Sequence, residues 1–322
     1  MIHLKYHRLT QVAIDTLKAA DHPLYTHYLK PELDSLLLPS SPPTPDHHMF
    51  TPFDPKATGA MVVNGITIGF DEVTGGMTRL TSRGGVEWAS SNHTLFGVQY
   101  HTYNISQFQA FQRAYSNLTH PPGYFPHDFG KPGDTLAEFH EAKATALSFW
   151  RRDYTDKNVS FLIESTFSPT TLHEEYGAPS RVWTRLDISP SGDTLGVTVT
   201  LVNKTATRHA EAMFVRVMPE GVTKMEMDKL GSWIRLESGL VVDGGNKHMH
   251  GVNSGVRFGS SGGEEMMLET VDAGVVVFGH PNGFPTSGPY GDEEPDLTQG
   301  VSSMILNNLW GTNYGSCYGE QR

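Results

Sequence analysis

Cysteine is nearly missing from these 322 residues: Cys317 stands alone, so neither an internal disulfide nor a multi-cysteine zinc site can form. Stability must come from apolar packing, and a chain of this length has the volume for a large core. As a nucleophile Cys317 would need a histidine brought close by the fold, and its glycine- and tyrosine-rich surroundings offer none locally. Positive charge is scarce too. Lys and Arg total 24 against 35 Asp and Glu, the formal net charge is −11 and no basic run exists, which removes the electrostatic footprint of a nucleic-acid binder. Long apolar runs are also wanting. Stretches such as 273–279 have strand length, far below the ~20 residues that a membrane-spanning helix requires. A soluble chain with no membrane span is the expectation. Residues 1–18 interleave His, Lys, Arg and Asp with apolar residues and do not read as a secretory signal. Against that stand five Asn-x-Ser/Thr sequons, at Asn92, Asn104, Asn117, Asn158 and Asn203, which would suit a secretory compartment. Both localisations, cytoplasmic and secretory, stay open.

Organisation follows from punctuation. Leu4, Leu9, Val12, Ile14 and Leu17 recur at helical spacing until His22-Pro23 breaks the pattern, and a second short helix fits the stretch from Pro23 to Leu38. The span 39–59, with Pro42, Pro43, Pro45 and the adjacent His47 and His48, has no periodicity and reads as an exposed connector with solvated histidines. From Ala60 to the end, the pattern alternates at period two. Asn64-Gly65 between Val63 and Ile66 is a strong hairpin signal, and strands are expected at 95–103, 145–153, 159–167, 181–188, 194–203, 212–218, 233–237, 255–258, 266–270 and 274–278. Between them, Phe108 and Phe111 mark one face of a short helix expected to pack over a sheet edge. The fold class is therefore mainly β: a large antiparallel β-sandwich over 60–322, a connector over 39–59 and a short helical segment over 1–38.

Several residues could carry chemistry. On the strand 95–103, His101 and Tyr103 share one face, a pair able to move a proton as a polysaccharide lyase or sugar epimerase requires; core residues with a satisfied histidine are the competing reading. The stretch from His120 to Asp128 sets Tyr124, Phe125 and His127 on a proline-stiffened backbone, where rings can stack on sugar C–H faces while imidazole and carboxylate meet hydroxyls. Glu269 and Asp272 interrupt apolar strands, where partial burial would raise a carboxylate toward acid or base duty; strand-end carboxylates that satisfy turn amides are the equal alternative. His248 and His250 have a two-ligand spacing for a metal, but no third ligand is identifiable, so no metal site is assigned. The sequence names no cofactor.

The stretches Asn307-Asn308-Leu309-Trp310-Gly311-Thr312-Asn313-Tyr314, 273–281 and Val63-Asn64-Gly65 through Thr74-Gly75 resemble the domain-of-unknown-function family 5054. That family is in turn similar to family 38 glycoside hydrolases, in which a metal-dependent catalytic barrel precedes a helical segment and β-sandwiches of the galactose-mutarotase type. The resemblance implies that residues 1–38 correspond to the end of the helical segment and that the rest is the galactose-mutarotase-like sandwich. It also implies that no segment here corresponds to the barrel, so an upstream catalytic half or another subunit is an expected partner. Trp310, Asn313 and Tyr314 are the matched positions expected to touch substrate. Three functions remain open: a carbohydrate-associated module, a stand-alone lyase or epimerase working through His101, Tyr103, His127 or Glu269, and a non-catalytic structural subunit.

Overall fold

The computed structural model describes residues 12–36, 44–116, 137–236, 241, 246–284 and 294–309. Residues 12–19 are helical, and after the break at Asp21-His22 a π turn, Leu24–Leu29, leads into the α-helix Lys30–Leu36. None of residues 12–34 is buried. In chain order the strands are β1 (Thr51–Pro52), β2 (Met61–Val63), β3 (Ile66–Phe70), β4 (Met77–Thr81), β5 (Glu87–Ala89), β6 (Leu95–Tyr103), β7 (His140–Lys143), β8 (Thr145–Asp153), β9 (Val159–Thr166) and β10 (Arg181–Ile188). They continue as β11 (Leu195–Val202), β12 (Ala210–Val217), β13 (Val222–Lys229), β14 (Ser232–Arg235), β15 (Met249–Gly251), β16 (Gly255–Ser260), β17 (Glu265–Glu269), β18 (Val275–Phe278) and β19 (Val301–Asn308).

These strands build three antiparallel sheets: five strands in the order β1-β8-β9-β10-β11, ten with the main path β15-β18-β19-β12-β6-β4-β3-β2, and four in the order β14-β13-β16-β17. The result is a β-sandwich. Alternation along each strand decides which side chains go inside. Phe149, Phe161 and Ile163 from the five-stranded sheet meet Ile68, Met77, Leu95 and Phe278 from the ten-stranded one, and Met225 and Phe258 of the four-stranded sheet join the same core. Each such side chain contributes about 1.5–3 kcal/mol by leaving water, so this shared core is the main stabilising term. The Asn64-Gly65 signal is realised as a tight turn, with φ of 50° and 87° at the two positions, the left-handed values whose twist suits a two-residue hairpin.

Two features depart from the sequence expectations. The connector is not a free linker from end to end. Thr51–Pro52 pairs with β8, Phe53 packs into the core, Pro55 is buried, and His47 is half-buried with its ring stacked 5.8 Å from Trp183. The aromatic residues after the prolines gain more by covering the sheet than by staying solvated. The helix Ile105–Ser116 lies over a sheet face, not an edge: Phe108 and Phe111 pack with Tyr103, Ala212 and Phe214 from the middle of the ten-stranded sheet.

Candidate functional site

Strands β6, β12 and β19 lie side by side in the ten-stranded sheet. Their residues on one face, Val98, Tyr100 and Met213, pack toward Phe167 and Val182 of the neighbouring layers. The other face carries Gln99, His101 and Tyr103 from β6 and Phe214 and Arg216 from β12. Strand β7 extends this outer face, because Glu141 pairs with His101 and Lys143 with Gln99. Two β-bulges flank it. Arg216 pairs with Gly97 and Val217 with Leu95, which leaves Phe96 unpaired with φ at 63°, while Ile305 is skipped where β19 passes Met213 and Phe214. Such insertions increase local twist and re-aim side chains.

The floor of this face is buried and the rim is open. His101 is 1% exposed and Tyr103 2%. His101 Nε2 hydrogen-bonds Gln99 Oε1 at 3.1 Å, and burial, with smaller contributions from His280 and Arg216, pushes its pKa down to about 3. The ring is therefore neutral at any physiological pH, and the 4.0 Å approach of Glu141 to its Nδ1 is not an ion pair. The Tyr103 hydroxyl accepts a hydrogen bond from the Gly283 amide at 2.8 Å, and burial raises the phenol above its ordinary pKa. A side chain on Gly283 would collide here, since its Cβ would sit 2.9 Å from that hydroxyl. Above the floor, Phe139 is 42% exposed, its ring 6.1 Å from that of Tyr103. Glu141 and His280 are also open, at 39% and 53%, with His280 Nε2 3.6 Å from Glu141 Oε1. Half-buried Arg216 reaches Gln299 O at 3.3 Å and Gln299 Oε1 at 3.4 Å. The arrangement can stack an apolar ring face on Phe139 and meet hydroxyls with Glu141, His280 and Gln299.

Of the residues singled out from sequence, the structure brings together His101 and Tyr103, but as floor and not as accessible acid or base. Glu269 does not join them. It ends β17 at the outer strand of the four-stranded sheet and is exposed, as is Asp272, because both face solvent at a strand end and in the turn beyond it. Tyr124, His127, Trp310, Asn313 and Tyr314, and Cys317 with them, lie outside the described residues. His250 is buried in β15 beside Phe278, with its pKa pushed down to about 4 by burial, and no group of three or more potential metal ligands occurs among the described residues. No helix among them is long and apolar enough to cross a membrane. Sequence reasoning missed Phe139, Glu141, Arg216 and His280. Only register could have found them, since Glu141 matters by standing opposite His101 and Arg216 by standing opposite Gly97.

No curated protein matches the chain. The sequence profile described as "Domain of unknown function (DUF5054)" matches residues 10–195, a span that contains His101, Tyr103, Phe139 and Glu141 as well as the Val63 to Gly75 stretch, and ends before 273–281 and 307–314. With more than half of its residues in that match, the chain belongs to the DUF5054 family.

Proposed function

We propose that this chain is a carbohydrate-binding β-sandwich that holds a sugar on the outer face of its ten-stranded sheet without turning it over, within a lineage similar to the C-terminal part of family 38 glycoside hydrolases. The observation that carries this reading is the convergence of an exposed aromatic ring, Phe139, with an open acceptor and donor, Glu141 and His280, from segments far apart in sequence. Sugars present this demand: an apolar C–H face beside a fixed lattice of hydroxyls. Hydrolysis, where it occurs, belongs to a partner that supplies the catalytic machinery. The lyase or epimerase reading has less support, because His101 and Tyr103, two of the four groups it could use, are buried and held far from neutral-pH titration, and Glu269 stands apart from them.

Calorimetric titration of the full chain with neutral and acidic oligosaccharides tests the proposal. Binding is expected for at least one class, with Phe139→Ala weakening it by about tenfold, the equivalent of ~1.4 kcal/mol. Reducing-end and unsaturated-sugar assays on the same samples should stay flat. Absence of binding to every class would sink the reading, and formation of product would replace it with the enzymatic one.

A further inference from the structure

Two buried carboxylates show how ionic groups are matched inside this structure: Glu211, 2% exposed, receives Lys204 Nζ at 2.8 Å and Asn308 Nδ2 at 3.0 Å, and Glu226 is held by Lys224 at 2.9 Å and Arg257 at 2.5 Å. The half-buried Arg216 guanidinium has no carboxylate within ion-pair distance among the described residues. Its described partners are the two neutral oxygens of Gln299, both at long range, and Asp296 approaches only through Gln299, whose Nε2 it accepts at 3.1 Å. Arg216 Nε is buried with no partner. The residue directly across the ladder on β19, Ser302, is fully buried and its Oγ is equally unmatched. A desolvated cation beside an unsatisfied hydroxyl is costly to maintain unless a ligand completes it.

The space for a ligand is beside it. Across the ladder on β6 the residue facing Arg216 is Gly97, and a Cβ built there meets nothing within 4 Å. Lys143, exposed and without an ion pair among the described residues, stands one row along the same face, opposite Gln99. With His101 neutral, the described charges beside this floor are two cations, Arg216 and Lys143, and two carboxylates, Glu141 at the rim and Asp296 behind Gln299. A guanidinium matches the two coplanar oxygens of a carboxylate better than it matches single hydroxyls.

We propose that the carbohydrate taken at this face is a uronate, whose carboxylate is received by Arg216 over the open floor at Gly97. The inference rests on the carbohydrate-binding reading and specifies its ligand. The full chain is titrated with a galacturonic acid tetrasaccharide, its methyl ester and a sulfated neutral tetrasaccharide of the same length. The uronate should bind about tenfold tighter than its ester. Arg216→Gln, which retains a polar group for Gln299, should erase that preference, and a preference that survives it overturns the assignment to Arg216. Gly97→Ala adds a Cβ that meets nothing within 4 Å and Gly97→Leu extends from it over the floor, so the larger variant should reduce the preference more than the smaller, an order that does not depend on how Arg216→Gln folds. Equal binding of uronate and ester overturns this inference and leaves the carbohydrate reading standing. Preference for the sulfated sugar overturns the carboxylate assignment, and no binding of any of the three overturns the uronate, the carbohydrate reading falling with it only where the neutral oligosaccharides fail to bind as well.

Discussion

On the outer face of the five-stranded sheet, arginine and aromatic side chains are answered from within the protein. Arg181 meets Glu164 at 3.2 Å, Arg185 meets Asp187 at 2.9 Å and Arg152 lies 4.3 Å over the ring of Tyr154. Trp150 and Trp183 stack on each other at 5.4 Å beneath His47. The outer face of the ten-stranded sheet uses the same residue types and leaves them open: Arg216 without an ion pair among the described residues, Lys143 and Phe139 exposed, His280 at the rim. The five-stranded side has room as well, in a groove of about 600 Å³ lined by residues that include Phe53, Arg152 and Tyr154. Yet its Arg151 is already matched by Asp153 at 2.7 Å. A site is marked by unmet chemistry and not by volume.

The contrast is tested by asking which face resists change. Trp183→Ala removes a buried ring from a closed stack and should cost about 3–5 kcal/mol in chemical denaturation, with no effect on sugar binding. A loss of binding on that substitution would erase the distinction between the two faces. Acid should act through the buried histidines. His101 and His250 have folded pKa values near 3 and 4, below the unfolded value of 6.5, so the unfolded chain takes up protons first as pH falls. Stability is complete above about pH 6.5 and declines below it by about 1.4 kcal/mol per pH unit for each histidine, down to about pH 4 for His250 and pH 3 for His101. His101→Gln should flatten that slope in a pH series of urea melts; an unchanged slope would contradict a neutral, buried His101. The smallest effect belongs to the paired surface charges. Arg181→Ala should change stability by roughly 0.2–1 kcal/mol, because an exposed ion pair is weak.

Much of the sandwich was legible because apolar alternation is a strong signal wherever a strand buries one face. Leu95–Tyr103, Thr145–Asp153 and Arg181–Ile188 have the bounds that alternation and turn residues suggest. Strands that carry polar residues inside, or none that are strongly apolar, escaped. In Val301–Asn308 the buried Ser302 and Ser303 interrupt the pattern, Val222–Lys229 buries Glu226 and Asp228, and His140–Lys143 holds no β-branched residue and is a strand only because β6 offers its edge. The same blindness hid the site. Glu141 and Arg216 gain meaning from what stands opposite them, and pairing between residues so far apart leaves no local trace in the chain.

The position of β19 between β18 and β12 sets a clock on assembly. Strand β6 finds its neighbour β12 only after more than a hundred further residues have been made, and β12 keeps a bare edge until the chain has been synthesised past residue 308. Contacts that join such distant segments form late and slowly. During that interval the exposed edge of β12 invites the wrong strand, from another copy as readily as from its own, which makes the insertion of β19 the step a nascent chain most needs to be shielded through.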